Sequence, residues 1–429
     1  NQLGRSTSSR WLPTWNISGA WNAHEEEWFQ KWAMAHKNWL SHATLRMSYS
    51  LVGEQTSASN ALAVFRSSIK WRPQGDQQEQ YIYLSQLANS DLTYEKKKEF
   101  NVGVDLGFLN NRLNLTSDFY WRNNYDLMGY VNTGGAGGEI RKFANVASMR
   151  SHGLEATLSS QNIRNKHFDW STDLTFAYTK TTIKDVLSQA NVINLVYNSG
   201  NNIRKGYPHR SIFSIPFVGL NDEGIPQIIN EKGEVTTTDI NFQEYQALDF
   251  LKYEGPTEPT MNGGLNNTLR YKNWRLNIFL TYSFGNKIRL DPVFSSSYSD
   301  MSAMPKEFKN RWVMPGDEKV TTIPAIASVR QYYNDTQLSY AYNAYNYSTA
   351  RIADGGFIRL KDVSLTYDVP RSFLAKIGLS TAAIKLDATN LCLLYADDKL
   401  NGQDPEFVNA GGVATPLSKQ FTLTVRLGL

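Results

Sequence analysis

Carboxylates crowd into YADDKLNGQDPE, where Asp397, Asp398, Asp404 and Glu406 offer the hard oxygen ligands that a calcium ion takes. Their spacing does not match an EF-hand loop, so a turn with solvated charges is expected and no metal is assigned. His24, His36 and His42 share one short region, but His24 is followed by EEEW and no HExxH occurs, so a zinc site lacks a defined ligand set. GGAGGE at 134–139 has neither the strand–helix setting of a dinucleotide loop nor the GK[ST] of a phosphate loop, and chain flexibility accounts for it. There is no nucleophile elbow. The expectation is a protein that is not an enzyme and carries no cofactor.

Two other groups of residues could meet a solute. QYYNDTQLSYAYNAYNYST, within 285–355, interleaves Tyr332, Tyr333, Tyr340, Tyr342, Tyr345 and Tyr347 with asparagine. Tyrosine rings stack on apolar faces while hydroxyls and amides reach polar groups, a mixture suited to glycan or peptide binding. Packing within the loop, or docking on a partner protein, would use the same residues. Arg46, Asp105, Asp118, Glu155, Asp173, Arg270 and Arg275 all fall on polar faces of alternating segments. They suit contact with a solute or a plug, or simply a hydrated wall.

The elements that must hold these residues are strands. LRMSYSL sets Leu45, Met47, Tyr49 and Leu51 against Arg46, Ser48 and Ser50, and FNVGVDLGF sets Phe100, Val102, Val104, Leu106 and Phe108 against Asn101, Gly103, Asp105 and Gly107. RLNLTSDFYW follows after LNN, a turn whose asparagines tolerate positive φ. FDWSTDLTFAY, NWRLNIFLTYSF and the ending KQFTLTVRLGL repeat the period of two. Strands are predicted at 12–21, 43–52, 61–72, 80–87, 98–108, 112–122, 152–160, 168–179, 260–271, 273–284, 356–367, 381–390 and 420–429.

Composition narrows the setting of these strands. The chain has 429 residues, a formal charge of +4 with Lys and Arg scattered, and 13% aromatic residues at a mean hydropathy of -0.44. No nucleic-acid footprint is indicated. No apolar run approaches the roughly 18 residues that a membrane helix needs. Cys392 is the single cysteine, so no internal disulfide staples the fold. The polar, Gly/Ser-rich start NQLGRSTSSRW does not read as a signal peptide; either one was removed or the chain begins inside a longer protein.

Strands of about ten residues match a tilted crossing of a bilayer, whereas strands in soluble proteins average about five or six. Outer-membrane barrels have short turns at one end and long loops at the other. Here 109–111, 161–167, 272 and 368–380 are short or moderate, while 88–97, 123–151, 180–259, 285–355 and 391–419 are mostly long. Residues 22–42 are long for their side, and EEEWFQKWAMAHKNWL could form a short helix there. Trp21, Trp71, Trp121, Trp170 and Trp274 stand at or near strand ends, where aromatic girdles mark membrane interfaces. A soluble sandwich with tryptophan in its core is the competing reading, disfavoured by strand and loop lengths. The expected fold is all-β, a transmembrane antiparallel β-barrel.

Several stretches, in order, carry a family resemblance. They include SSRWLPTWNISGAW, LRMSYSLVGEQ, YEKKKEFNVGVDLGFLNNRLNLTSDFYWRNNYDLM, NVASMRSHGLEATLSSQNI, EPTMNGGLNNTLRYKNWRLNIFLTYSFGNKI, GGFIRLKDVSLTYDVP, NGQDPE and QFTLTVRLGL. Together they resemble the TonB-dependent outer-membrane transporters of the SusC/RagA type, found in Bacteroidetes. The resemblance implies a plugged barrel of about 22 strands that imports oligosaccharides or peptides with energy from TonB. It also implies a SusD-like surface lipoprotein that meets the long outer loops and lids the barrel.

Two departures accompany the resemblance. The plug, the TonB box and the first strands have no counterpart, so residues 1–429 correspond to the C-terminal portion of the barrel, with about 13 strands. An open sheet in lipid would leave edge N–H and C=O groups unpaired. The first strand is therefore expected to pair with the remaining barrel strands, from the same polypeptide or another chain. The second departure is Leu429, where the family usually ends in Phe; leucine keeps the apolar face intact. A SusC-like barrel used as a non-transporting scaffold in a larger outer-membrane assembly is the alternative function.

Overall fold

The computed structural model describes residues 11–54, 61–72, 75, 77–135, 141–187, 190–197, 203–292, 305–374, 378–408 and 416–428. Leu429 and residues 136–139 of GGAGGE lie outside them.

Thirteen long strands form where alternation predicts them: β1 (Trp15–Asn22), β2 (Leu40–Glu54), β3 (Val64–Trp71), β4 (Gln78–Gln86), β5 (Glu95–Phe108), β6 (Leu113–Asn132), β7 (Arg141–Arg164), β8 (Phe168–Val186), β9 (Met261–Tyr271), β10 (Trp274–Phe284), β11 (Phe357–Asp368), β12 (Thr381–Tyr395) and β13 (Gln420–Gly428). Eleven of them join one antiparallel sheet in chain order, with β3 and β4 left out. The expected barrel strands 61–72 and 80–87 therefore form a separate hairpin, because β2 pairs directly with β5 from Leu40↔Phe108 to Glu54↔Glu95. A reason is visible in β4, where Tyr81, Ile82, Tyr83 and Leu84 are apolar on both faces, unlike a strand with one wet side.

The register keeps the two faces of the wall apart. One row runs Met47–Val102–Phe119–Leu154–Tyr178–Met261–Phe284 across seven strands. Another runs Trp170–Leu269–Leu276–Leu365–Leu386–Leu423. The next row over is polar or small: Ala20–Arg46–Gly103–Asp118–Glu155–Ala177–Asn262–Ser283. The apolar face is uncovered, with Phe421 76% and Leu423 64% exposed. Such an area of bare aliphatic and aromatic surface suits hydrocarbon and not water.

Connections alternate by end. Residues 23–39, 109–112, 165–167, 272–273 and 369–380 close one end; 55–94, 133–140, 187–260, 285–356 and 396–419 close the other. At the short end Leu109, Asn110 and Asn111 all take positive φ, the tight reversal predicted for LNN. Residues 23–39 contain the expected helix, α1 (Glu27–Ala35). The expected long connection 123–151 is mostly strand instead: β6 and β7 have 20 and 24 residues and leave only 133–140 between them. They outrun the ten or so residues that a bilayer requires and project past it at the long end.

The long connections fold together there. Residues 187–260 and 285–356 contain α2 (Val192–Tyr197), α3 (Val329–Asn334) and α4 (Leu338–Asn346). Val192, Leu195, Val196, Phe213, Ile215 and Ile228 form a core that also takes Ala344 from α4. The two segments are stitched by Ile215 N–H donating to Tyr347 O at 3.0 Å and by Thr349 N–H donating to Ile215 O at 3.0 Å. A second core joins Ile288, Leu290 and Ala353 to Leu400 of the last connection. The result is a loop cap with its own packed interior.

Candidate functional site

The site has two parts, the polar face of the wall and the cap above it. On the wall, Arg46 is the hub. Its Nε donates to Asp105 Oδ2 at 2.8 Å, and Nη1 and Nη2 donate to the two Asp118 oxygens at 3.1 Å each. Farther toward the long end, Arg122 and Lys97 converge on Glu99 at 2.9 and 3.0 Å. At the short end Arg275 stands 3.6 Å from Asp368.

These contacts sort the wall residues singled out above. Arg46, Asp105 and Asp118 satisfy one another, which makes them a cross-link before anything else. Asp173 accepts from Ser159 Oγ at 2.7 Å. Glu155 faces Asp118 in register, is exposed, and lines a hollow of ≈ 250 Å³ with Asp118, Thr157, Thr175 and Asn262. Arg270 is exposed opposite Arg275 and Asp169. Among the described residues no ion pair is formed by Glu155 or Arg270, so of the wall residues named above these two, with Arg275 held by Asp368 only at 3.6 Å, present charge to the polar side of the wall.

The tyrosines divide by burial. Tyr342 and Tyr345 are each 1% exposed, so the expectation that they reach a solute is corrected: they are core residues of the cap. Tyr345 packs with Phe308 and Ile323, and Tyr342 with Ala327 and Leu338 while its hydroxyl donates to Ala325 O at 2.8 Å. The cause is helical spacing: positions 338, 341, 342 and 345 share the inward side of α4, which alternation with asparagine does not reveal. Burial raises both phenols to about 12. Tyr347 is half-buried, edge-on to Tyr197 at 5.9 Å, with Arg289 over its ring at 5.8 Å. Burial lowers Arg289 to about 10 while it donates to Phe213 O at 2.6 Å. Tyr340 is 47% exposed and stacks on Phe242, and Tyr333 is 83% exposed. The side chain of Tyr332 lies outside the described residues.

The carboxylates of YADDKLNGQDPE have protein partners. Asp404 meets Arg359 Nη2 through both oxygens at 2.6 and 2.7 Å, and Glu406 joins at 3.2 Å. Both partners of the first pair are under 5% exposed. Asp397 accepts from Lys399 N at 2.9 Å and Asp354 N at 2.6 Å. Among the described residues no group of three metal-type ligands forms. Arg359 stands opposite Thr281, on the same face as Arg46, so its pairing draws the last connection over the polar side of the wall. Sequence reasoning passed over Arg359; the signal was FIRLKDV, which places it on the polar face of β11 beside Lys361.

Comparison with known proteins agrees with this geometry. The family model described as TonB dependent receptor-like, beta-barrel, matches residues 4–391. TonB-dependent receptor P3 of Formosa agariphila is 26% identical over 87% of this chain and 37% of its own length. TonB-dependent receptor SusC of Bacteroides thetaiotaomicron is 22% identical over 99% of this chain and 40% of its own. A solved structure of the RagAB peptide transporter has the same fold, with a TM-score of 0.76 at 24% identity, over 99% of this chain and 44% of that one. The chain thus spans about two fifths of the length of the curated relatives it matches. It belongs to the β-barrel family of the TonB-dependent receptors.

Proposed function

We propose that the chain is the C-terminal part of the barrel of a SusC-like, TonB-driven importer in the outer membrane of a Bacteroidetes-like bacterium. Its solutes are oligosaccharides or peptides, and its partner is a SusD-like surface lipoprotein. The plug and the remaining barrel strands come from the rest of the polypeptide or from another chain. The observation that carries the reading is the two-faced wall: rows of uncovered apolar residues on one side, ion pairs and hydroxyls on the other, and a packed cap at the long-connection end. Glu155, Arg270 and Arg275 would meet the plug or a passing solute, and exposed Tyr333 and Tyr340 would meet solute or lipoprotein at the cap.

The test is uptake by cells that make or lack the whole protein, with labelled oligosaccharides and labelled peptides offered separately. Loss of uptake of one class, with a surface lipoprotein co-purifying from wild-type membranes, is expected. Unchanged uptake, or a whole reading frame with neither plug nor TonB box, would overturn the reading in favour of a scaffold subunit.

A further inference from the structure

Helix α1 presents a surface that neither the strand ladder nor solute import explains. Phe29 and Ala33, one turn apart, are buried against Ala23, Leu40 and Ala43. Ala43 shares its face of β2 with Leu45 and Met47, and Leu40 stands opposite Phe108 after a bulge. The helix therefore lies along the apolar side of the wall at the short-connection end, and not beneath the polar side. Trp28 and Trp32 form a stripe on the flank next to the buried pair and are 57% and 38% exposed. The ring of Trp28 lies 6.4 Å from that of Trp21, which stands on the apolar face of β1 opposite Leu45. Trp39, 56% exposed, sits edge-on to Phe108 at 5.3 Å. Across the helix, Glu27 and Lys31 pair at 3.5 Å in full exposure beside Gln30.

We propose that α1 is an interfacial anchor, lying in the plane of the periplasmic leaflet with Trp28 and Trp32 in the boundary between phospholipid headgroups and acyl chains. Short connections mark the periplasmic end of an outer-membrane barrel. A short helix with an aromatic flank and a charged flank settles at that depth, where an indole keeps its ring in apolar surroundings and its N–H near water. Continuity argues for lipid as the occupant: the stripe extends the apolar face of the wall without a break. Trp170 and Trp274, on that same face, also stand at the short-connection ends of β8 and β10. The proposal rests on the wall spanning the membrane and not on transport, so a failure of import leaves it standing.

The experiment uses the whole protein reconstituted in phospholipid bilayers. In a Cys392→Ser background, nitroxide labels are placed at Trp32→Cys and, separately, at Lys31→Cys, and their collisions with oxygen and with a water-soluble nickel chelate are compared. The ratio of oxygen to chelate access is expected to be about ten-fold higher at 32 than at 31. Equal chelate access at both positions would overturn the proposal, as would shielding of position 32 from both reagents, which would indicate a protein partner. Because Trp32→Cys removes one of the rings in question, the unaltered protein is also footprinted with hydroxyl radicals in the same bilayers. Trp28 and Trp32 should oxidise several-fold more slowly than in the unfolded protein while Met34 does not. Oxidation of both tryptophans at the unfolded rate would also overturn the assignment.

Discussion

Arg46 reaches Asp118 across an intervening strand because Gly103 stands between them. Arg46 faces Gly103, which faces Asp118, so the two charged residues sit two strand spacings apart, about 10 Å. A Cβ at position 103 would come within 2.5 Å of Asp118 Oδ1 and 2.7 Å of Arg46 Cζ. The missing side chain is the channel through which the guanidinium passes. A related crossing occurs at Gly153, where the hydroxyl of Tyr120 reaches Thr179 Oγ1 at 2.5 Å.

Gly103→Val should therefore break the cross-link from the middle. Arg46→Met should do at least as much damage, since it leaves Asp105 and Asp118 without their shared cation. A loss of about 1–3 kcal/mol is expected for each, with Arg46→Lys in between because it offers one point charge for a fork. The temperature at which the barrel loses its heat-modifiable mobility in gels would report the order. Equal stability of Gly103→Val and wild type would show that the bridge carries no weight.

Asp404→Asn should release the last connection. It leaves the Arg359 guanidinium buried with a weaker partner, a change worth about 3–5 kcal/mol when a buried pair is broken. Replacing both, Arg359→Met with Asp404→Leu, should recover most of that loss, because no buried charge is left unpaired and Glu406, 42% exposed, stays in contact with water. Limited proteolysis of residues 396–408 is the readout, with rapid cleavage of the single variant and slow cleavage of the double.

Alanine scanning should separate the tyrosines. Tyr345→Ala opens a cavity beside Phe308 and Ile323 and is expected to destabilise the cap by about 3–5 kcal/mol. Tyr333→Ala, at an 83% exposed position, should leave cap stability within about 0.5 kcal/mol. If solute meets the cap, only the second change can alter affinity while the fold stays intact. Calorimetric titration alongside thermal unfolding distinguishes the two effects.

Alkali should open the cap before it opens the wall. In the unfolded chain tyrosines ionise near 10, whereas Tyr342 and Tyr345 are held to about 12 by burial. The folded pKa is raised, so the contribution is fully present below pH 10 and is lost as pH climbs toward 12. At the upper end the loss is on the order of 2–3 kcal/mol per tyrosine. Phenolate absorbance should show Tyr342 and Tyr345 among the last groups to titrate, with their appearance coinciding with protease sensitivity of 305–356. Titration of every tyrosine near 10 with the cap still resistant would contradict this.

Much of the wall was legible because its physics is local. A period of two in FNVGVDLGF or FTLTVRLGL assigns each side chain to a face whatever the strand's neighbours are. That sufficed for the two-faced sheet, the tight reversal at 109–111, the helix within 22–42 and the alternation of short and long connections. It does not identify partners, which is why the pattern alone puts 61–72 and 80–87 in the wall although β2 bonds to β5.

What the sequence determined by itself was therefore which surfaces exist: an apolar face, a polar face with Arg46, Glu155, Arg270 and Arg275 on it, and long segments to be housed at one end. What only the tertiary structure decided was who meets whom. Asp404 reads as a metal-type ligand in isolation, yet 45 residues upstream lies the arginine that claims it. Tyr342 and Tyr345 read as binding residues until α4 folds and helical spacing turns them inward. These outcomes depend on long-range closure, in which buried charge and buried ring are stabilised only by partners far away in the chain.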